Sequence, residues 1–207
     1  MAAVVPNPDS IHAFTSDTAF ERWLRKNHDQ ASEVYVRIYK KDSGVPTVTY
    51  AGALDAALCW GWIDGIRKAY DASSFLQRFT PRGKKSVWSQ RNREYVARLI
   101  AAERMTPHGL AHVEAAKADG RWQAAYAGAA KMVMPADLLA AIEAAPRALA
   151  TYALLDKTNL FALAFRLGNL KTPAGRAKRI ASFVDMLERG ETLHPLKKRA
   201  LKPPAKR

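Results

Sequence analysis

Apolar residues recur at two different spacings along this chain, and the change between them divides it into two parts. Up to about residue 83, several short segments alternate between apolar and polar residues, which is typical of half-buried strands. Beyond that point apolar residues recur every three or four positions, which is typical of amphipathic helices. The pattern predicts an α+β fold, with a small three-stranded, mainly antiparallel sheet packed with helices and followed by a helical C-terminal unit.

The sheet is predicted from three segments, at 33–40, 62–70 and 75–79. Two helices accompany these strands. The first is expected to begin near Thr18, because Thr18 and Glu21 have the form of a capping box. The second is expected to be capped by Thr49 and ended by Gly61. Residues 1–15, which include two prolines, are predicted to be irregular.

Six further helices are predicted, at about 87–102, 107–118, 136–144, 147–155, 159–167 and 173–189. The last has the clearest limits, because Thr172 and Pro173 start it and Gly190 ends it. Its apolar stripe is Ile180, Phe183, Val184 and Leu187. Residues after about 192 are rich in proline, lysine and arginine and are expected to contribute nothing to the core. The predicted domains are an α+β domain at 1–131, a helical unit at 132–191 and a basic disordered tail at 192–207.

Positive charge is concentrated in two places. The chain has 33 Lys and Arg residues against 19 Asp and Glu residues, a formal net charge of +14. Segments 76–104 and 171–207 hold the whole excess, and the rest carries equal numbers of each sign. Such concentration favours an acidic partner or anionic ligand, with nucleic acid and an anionic lipid surface among the alternatives. A solubilising surface with a basic tail explains the same charge.

Several classes of protein do not fit the composition. No apolar run approaches about 18 residues, so no membrane span is expected, and the N-terminus lacks the basic residues of a secretory signal. The single cysteine, Cys59, cannot form an intramolecular disulfide, which favours a cytoplasmic protein.

His108 and His112 share a helix face, but no third ligand completes a metal site, and His28 is expected to be isolated. No P-loop or dinucleotide fingerprint is present, so neither a metal nor a cofactor is expected.

The densest cluster of unusual residue types lies between residues 60 and 92, where three of the five tryptophans fall among arginines. Asp64 paired with Arg78 or with Arg82 would fix the rim of a pocket. A helix opening at Ser86 or Ser89 would add unpaired N–H groups, which bind phosphate or carboxylate. We therefore predict one anion-accepting pocket, in which Trp60 and Trp62 form a wall or the floor. The pocket is lined by Trp60, Trp62, Asp64, Arg78, Arg82, Ser86, Trp88 and Asn92.

The alternative is that the tryptophans are core residues and the serines are simple helix caps. No catalytic residue is predicted, because a guanidinium beside Asp64 would make this carboxylate a poor proton acceptor. Arg82 is expected to be partly exposed, so its replacement by Ala should remove anion binding at a cost of about 1 kcal/mol. If Trp62 is core, its replacement should cost about 3–5 kcal/mol.

The same residues resemble the YdeI/OmpD-associated family of bacteria. The motifs that carry the resemblance are Ala57–Gly65, Gln77–Arg82, Ser86–Asn92, Arg104–Gly109, Ala116–Trp122 and Arg176–Ile180. The resemblance runs from roughly Phe20 to Glu191. It departs at Trp60, where phenylalanine is expected, and at Lys171–Arg176, which lacks the expected Glu-Thr-Arg sequence.

The resemblance implies protection against bacteriocins or antimicrobial peptides and association with an outer-membrane porin, and it brings no catalytic residues. The first hypothesis is therefore a non-enzymatic binding or stress-protection protein with an anion-binding pocket. A nucleic-acid-binding protein is the second, because basic segments interleaved with tryptophans can hold phosphates and stack bases. The third is a small-ligand enzyme built on Asp64, Arg82 and Ser86. The sequence specifies neither the ligand nor the oligomeric state.

Overall fold

The computed structural model describes residues 5–128, 132–170 and 172–196. The chain folds into two compact units, Met1–Ala125 and Tyr126–Arg207. The first unit combines helices with a sheet, and the second is helical. The predicted α+β class is confirmed.

The sheet of the first unit has four strands in the described residues. They are β1 (Ile11–Ala13), β2 (Val34–Tyr39), β3 (Trp62–Ala69) and β4 (Ser74–Pro81). Their order is β1-β2-β4-β3, with β1 parallel to β2 and the other pairs antiparallel. The prediction of three strands is corrected by β1, which lies in the segment expected to be irregular. Three residues are too few for a visible alternation, and this strand is defined by its pairing with β2.

Four helices complete the first unit: α1 (Asp17–Asn27), α2 (Tyr50–Cys59), α3 (Gln90–Ala101) and α4 (Pro107–Ala118). The cap of α1 is Ser16, whose hydroxyl accepts from the Ala19 N–H at 3.1 Å, so the capping box predicted at Thr18 is wrong. The limits predicted for α2 are confirmed. Thr49 accepts from the Gly52 N–H at 3.0 Å, and Gly61 follows the helix with a φ of +71°.

The core of the first unit lies between one face of the sheet and the helices. Val34 of β2 is paired with Phe79 of β4, and both side chains are fully buried there with Phe20 and Leu24 of α1. Helix α2 packs against α1, β3, α3 and α4, and six of its ten residues are buried. Helix α2 is therefore held on several sides.

The second unit contains α5 (Ala136–Glu143), α6 (Pro146–Tyr152), α7 (Lys157–Gly168) and α8 (Pro173–Glu188). Helix α8 packs against the other three. Its predicted apolar stripe is confirmed, since Phe183 and Leu187 are buried in the core of this unit and Ile180 and Val184 pack against it. No helix in the described ranges is long and apolar enough to cross a membrane.

The first residues of the predicted tail are attached to the second unit. The amide of Asn159, which is 1% exposed, donates to the His194 carbonyl at 3.0 Å and accepts from the His194 N–H at 2.9 Å. Leu193 packs against the core. The expectation that residues after about 192 contribute nothing is therefore wrong for these two residues. The rest of the predicted tail, 197–207, lies outside the described residues.

Candidate functional site

Asp64 and Arg78 lie on neighbouring strands, but their side chains bind other partners. Asp64 is opposite Phe79 in the register, so Arg78 projects from the other face of the sheet. The hydroxyl of Tyr50 donates to Asp64 Oδ2 at 2.8 Å, and burial together with this hydrogen bond raises the pKa of Tyr50. Arg78 Nε donates to Glu33 Oε2 at 2.7 Å. Of the two arginines predicted to pair with Asp64, Arg78 binds Glu33 instead, which corrects that pairing.

Arg82 is only 3% exposed, which contradicts the expectation that it is partly exposed. Its guanidinium carbon lies 3.7 Å from the ring centroid of the buried Trp88, a cation–π contact. Its Nη1 donates to the Val87 carbonyl at 3.1 Å, and its backbone N–H donates to the Gly61 carbonyl at 2.9 Å. Arg82 therefore stabilises the packing at the end of β4.

The remaining predicted residues fall in three environments. Trp62 is fully buried and donates from Nε1 to the His28 carbonyl at 3.1 Å, whereas Trp60 is partly buried. The N–H of Asn92 donates to Ser89 Oγ at 3.1 Å, so of the two candidate serines Ser89 caps α3. Ser86 lies in the loop before α3 and accepts through its carbonyl.

Trp60 also belongs to a cluster with three histidines at the place where α4 meets the end of α2. The ring centroids of His28 and Trp60 are 4.6 Å apart, those of His28 and His108 are 4.6 Å apart, and those of His108 and His112 are 5.3 Å apart. His28 was expected to be isolated, which is wrong. It is separated from the pair on α4 by about 80 positions along the chain, and only the tertiary fold brings it there.

Two glycines allow α4 to approach this closely. A side chain at Gly109 would collide with the Cys59 carbonyl, and one at Gly61 would collide with the His112 ring. Thr106, which caps α4, donates from Oγ1 to the same Cys59 carbonyl at 2.6 Å. The motif around Cys59 and Gly61 is therefore the surface on which the histidine face of α4 packs.

The surroundings of His108 and His112 favour the neutral form of these two rings. Burial lowers the pKa of His108, with a further contribution from His28, whereas Asp29 acts in the opposite direction. Burial also lowers the pKa of His112, followed by the effects of His108, Arg82 and Arg121. In the described part of the chain no group of three or more His, Cys, Asp or Glu side chains could hold a metal ion.

A concavity of about 380 Å³ opens beside the histidine cluster. Arg121 is fixed at its rim, because its Nε donates to both oxygens of Asp119 at 2.9 and 2.7 Å and its Nη1 donates to the Ser86 carbonyl at 3.0 Å. Lys84 adds a second, exposed cation. This basic concavity is lined by Gly83, Lys84, Ala111, His112, Ala115, Asp119 and Arg121.

The sequence analysis did not predict the basic concavity, although Arg82 and Ser86 flank two of its lining residues, Gly83 and Lys84, in the sequence. Its lining comes from the loop after β4, from α4 and from the segment after α4. One local signal was available: Gly109 is a helical glycine beside His108, and such a glycine often marks close packing. None of the eight predicted residues lines this concavity, and their ligand-binding role stays a prediction.

A second concavity, of about 440 Å³, lies on the exposed side of α3. It is lined by Gln90, Arg93, Glu94, Ala97 and Trp122, and Arg93 lies over the Trp122 ring at 5.2 Å from its centroid. Arg93 and Glu94 carry opposite charges, so this lining is less suited to an anion than the basic concavity.

Two family models match the sequence. One is described as a Domain of unknown function (DUF8412) and matches residues 12–112. The other is described as Bacteriocin-protection, YdeI or OmpD-Associated and matches residues 131–190. No curated protein and no solved structure matches significantly. Of the motifs that carry the resemblance, Arg176–Ile180 lies in the second range, and the four motifs between Ala57 and Gly109 lie in the first. The predicted resemblance to the YdeI/OmpD-associated family is confirmed, by a match on residues 131–190.

Proposed function

We propose that the protein is a non-enzymatic binding protein that holds an anionic group in the basic concavity. The observation that carries the proposal is the convergence of Lys84, Arg121 and His112 on one open space. The charge of the buried Arg82 also acts on His112, so it adds to the positive potential there. Charge-assisted hydrogen bonds from a guanidinium and an ammonium to an oxyanion are among the strong ones in proteins.

The position of Arg121 supports binding without a large ordering cost. Its side chain is 16% exposed and is held by Asp119 and by the Ser86 carbonyl. A guanidinium that is already ordered loses less side-chain entropy when a ligand arrives. Asp119 neutralises part of the charge of Arg121, so Lys84 is the main source of unbalanced positive charge at the rim.

The contacts that Cys59, Asp64 and Arg82 make within the fold favour binding over catalysis. Burial raises the pKa of the Cys59 thiol to about 11, so the reactive thiolate is scarce at neutral pH. Asp64 accepts the Tyr50 hydroxyl, and Arg82 is buried against Trp88. We therefore favour binding over an enzyme built on Asp64, Arg82 and Ser86.

Stress protection is the wider role that we propose for this binding activity, in line with the description of the family that matches residues 131–190. We propose a cytoplasmic location, on the basis of the single cysteine. Nucleic acid remains the alternative partner, supported by the two basic segments of the sequence.

Two neighbouring lysines provide the test. Lys84 and Lys85 are both exposed and lie in the same loop, but of the two only Lys84 lines the basic concavity. Isothermal titration calorimetry with sulfate should show about tenfold weaker binding for Lys84→Ala, and a change within about twofold for Lys85→Ala. Equal losses in both variants would indicate diffuse surface charge and contradict the proposal.

A parallel titration with generic duplex DNA separates the nucleic-acid alternative. Binding to DNA should weaken steeply with salt if several phosphates are neutralised. Tight, strongly salt-dependent binding of DNA, without measurable binding of sulfate, would favour the alternative over our proposal.

A further inference from the structure

His112 connects the basic concavity with the histidine cluster. His112 lines the open space, and its ring contacts His108 one turn earlier on α4. Gly61 lies against the same ring, and a Cβ at this position would lie 3.0 Å from Nε2 of His112. The ring is therefore held in a fixed place beside any group that enters the concavity.

The charges that face His112 come from four places. His108 lies on the same helix as His112. Arg82 lies at the end of β4, and Lys84 lies in the loop that follows this strand. From the segment after α4 come Arg121 and Asp119, which are paired with each other. Beyond His108 lies His28, next to Asp29.

Without an anion, these surroundings disfavour a positive charge on His112. Burial lowers its pKa from the ordinary value of 6.5, and His108, Arg82 and Arg121 lower it further. An anion held by Lys84 and Arg121 would reverse this balance, because it would place negative charge beside the ring. By linkage, an anion that favours the protonated ring must itself bind more tightly when the ring is protonated.

We infer that His112 takes up one proton from solvent when an oxyanion occupies the basic concavity, and that this favours a dianion, either a phosphoryl group or the sulfate ion, over a carboxylate. A dianion attracts the imidazolium about twice as strongly as a monoanion at the same distance. The proton moves to a ring nitrogen of His112, and no covalent bond of the ligand breaks. This inference rests on the proposed function and adds the class of ligand and its regulation by pH.

His108 sets the pH range of this effect. It contributes to the lowered pKa of His112 through their contact. Replacing His108 by Gln should therefore raise the pKa of His112 and move the pH dependence of anion binding to higher pH. Replacing His112 by Gln should remove the pH dependence and leave the affinity seen at high pH.

Sulfate is the probe, because it stays a dianion between about pH 5.5 and 8. Calorimetry in a cationic buffer should show a wild-type affinity that rises as pH falls, by up to about tenfold per pH unit when one proton is taken up. His112→Gln should bind with a flat pH profile, and acetate should bind wild type more weakly than sulfate does.

The outcomes separate the inference from the proposed function. Sulfate binding that depends on Lys84 but not on pH would overturn the inference and leave the function standing, as would acetate binding equal to sulfate. If sulfate does not bind at any pH, both fail. Should His112→Gln not fold, the pKa of His112 in wild type can be followed by NMR, and it must rise when sulfate is added for the inference to hold.

Discussion

Arg82 and Lys84 are close in sequence but lie in two different regions of the first unit. The region of Arg82 is packed, and the region of Lys84 opens to solvent. In the first region, Arg82 is buried against Trp88 and donates to a backbone carbonyl. In the second, Lys84 and Arg121 line the basic concavity. The difference shows that arginine and tryptophan close in sequence indicate a packed cation–π contact as readily as a ligand site.

Helix α4 contributes to the second region and explains part of the difference. It brings His112 to the concavity and leads into the segment that carries Arg121, while Gly61 and Gly109 allow it to pack closely against the end of α2. The residue types in the loop 82–86 therefore do not decide which cation is buried and which is exposed. The burial of each cation depends on which side chains from the rest of the unit pack against it.

The largest expected effect belongs to the packed region. Trp62→Ala removes a fully buried indole, its hydrogen bond to the His28 carbonyl and its edge contact with Trp23. We expect a loss of about 3–5 kcal/mol in the free energy of unfolding, measured by urea denaturation. A loss below about 1 kcal/mol would show that Trp62 is not a core residue.

Arg82→Ala should have the next largest effect, and it separates the packed reading from the predicted pocket. The variant loses a buried cation–π contact and a charged hydrogen bond, so we expect about 2–3 kcal/mol of destabilisation. Arg78→Ala is the control, because it loses a partly exposed ion pair with Glu33 that is worth about 0.5 kcal/mol. Equal and small losses of unfolding free energy in both variants would show that Arg82 is not a packed residue.

Lys84→Ala should have the smallest effect on stability. Its side chain is exposed, so we expect a change within about 0.5 kcal/mol in urea denaturation, although the same variant should lose most of its sulfate affinity. Destabilisation comparable to that of Arg82→Ala would show that Lys84 is packed in the fold like Arg82, and the two regions would then not differ.

Local signals were sufficient to predict most of the fold. Thr49, Thr106 and Thr172 each accept from the N–H three residues later, and helices were correctly expected after all three. Strand β1 was missed because a three-residue strand is defined by its partner. The cap at Ser16 was missed because Thr18 and Glu21 imitate a capping box nearby.

The candidate site was less accessible to sequence reasoning. The cluster between residues 60 and 92 was identified by residue type, but the direction of each side chain depends on long-range contacts. Arg78 faces Glu33 from 45 positions away, and Arg121 reaches Ser86 from 35 positions away. Distances of this kind leave no pattern in a single sequence.

The most direct test of the account is to locate a bound oxyanion in a crystal. Selenate replaces sulfate and can be identified by its anomalous scattering. Our account predicts a selenate ion in the basic concavity, within hydrogen-bond distance of Lys84 and Arg121 and beside His112. Selenate bound instead at the start of α3, near Ser89 and away from these residues, would contradict it.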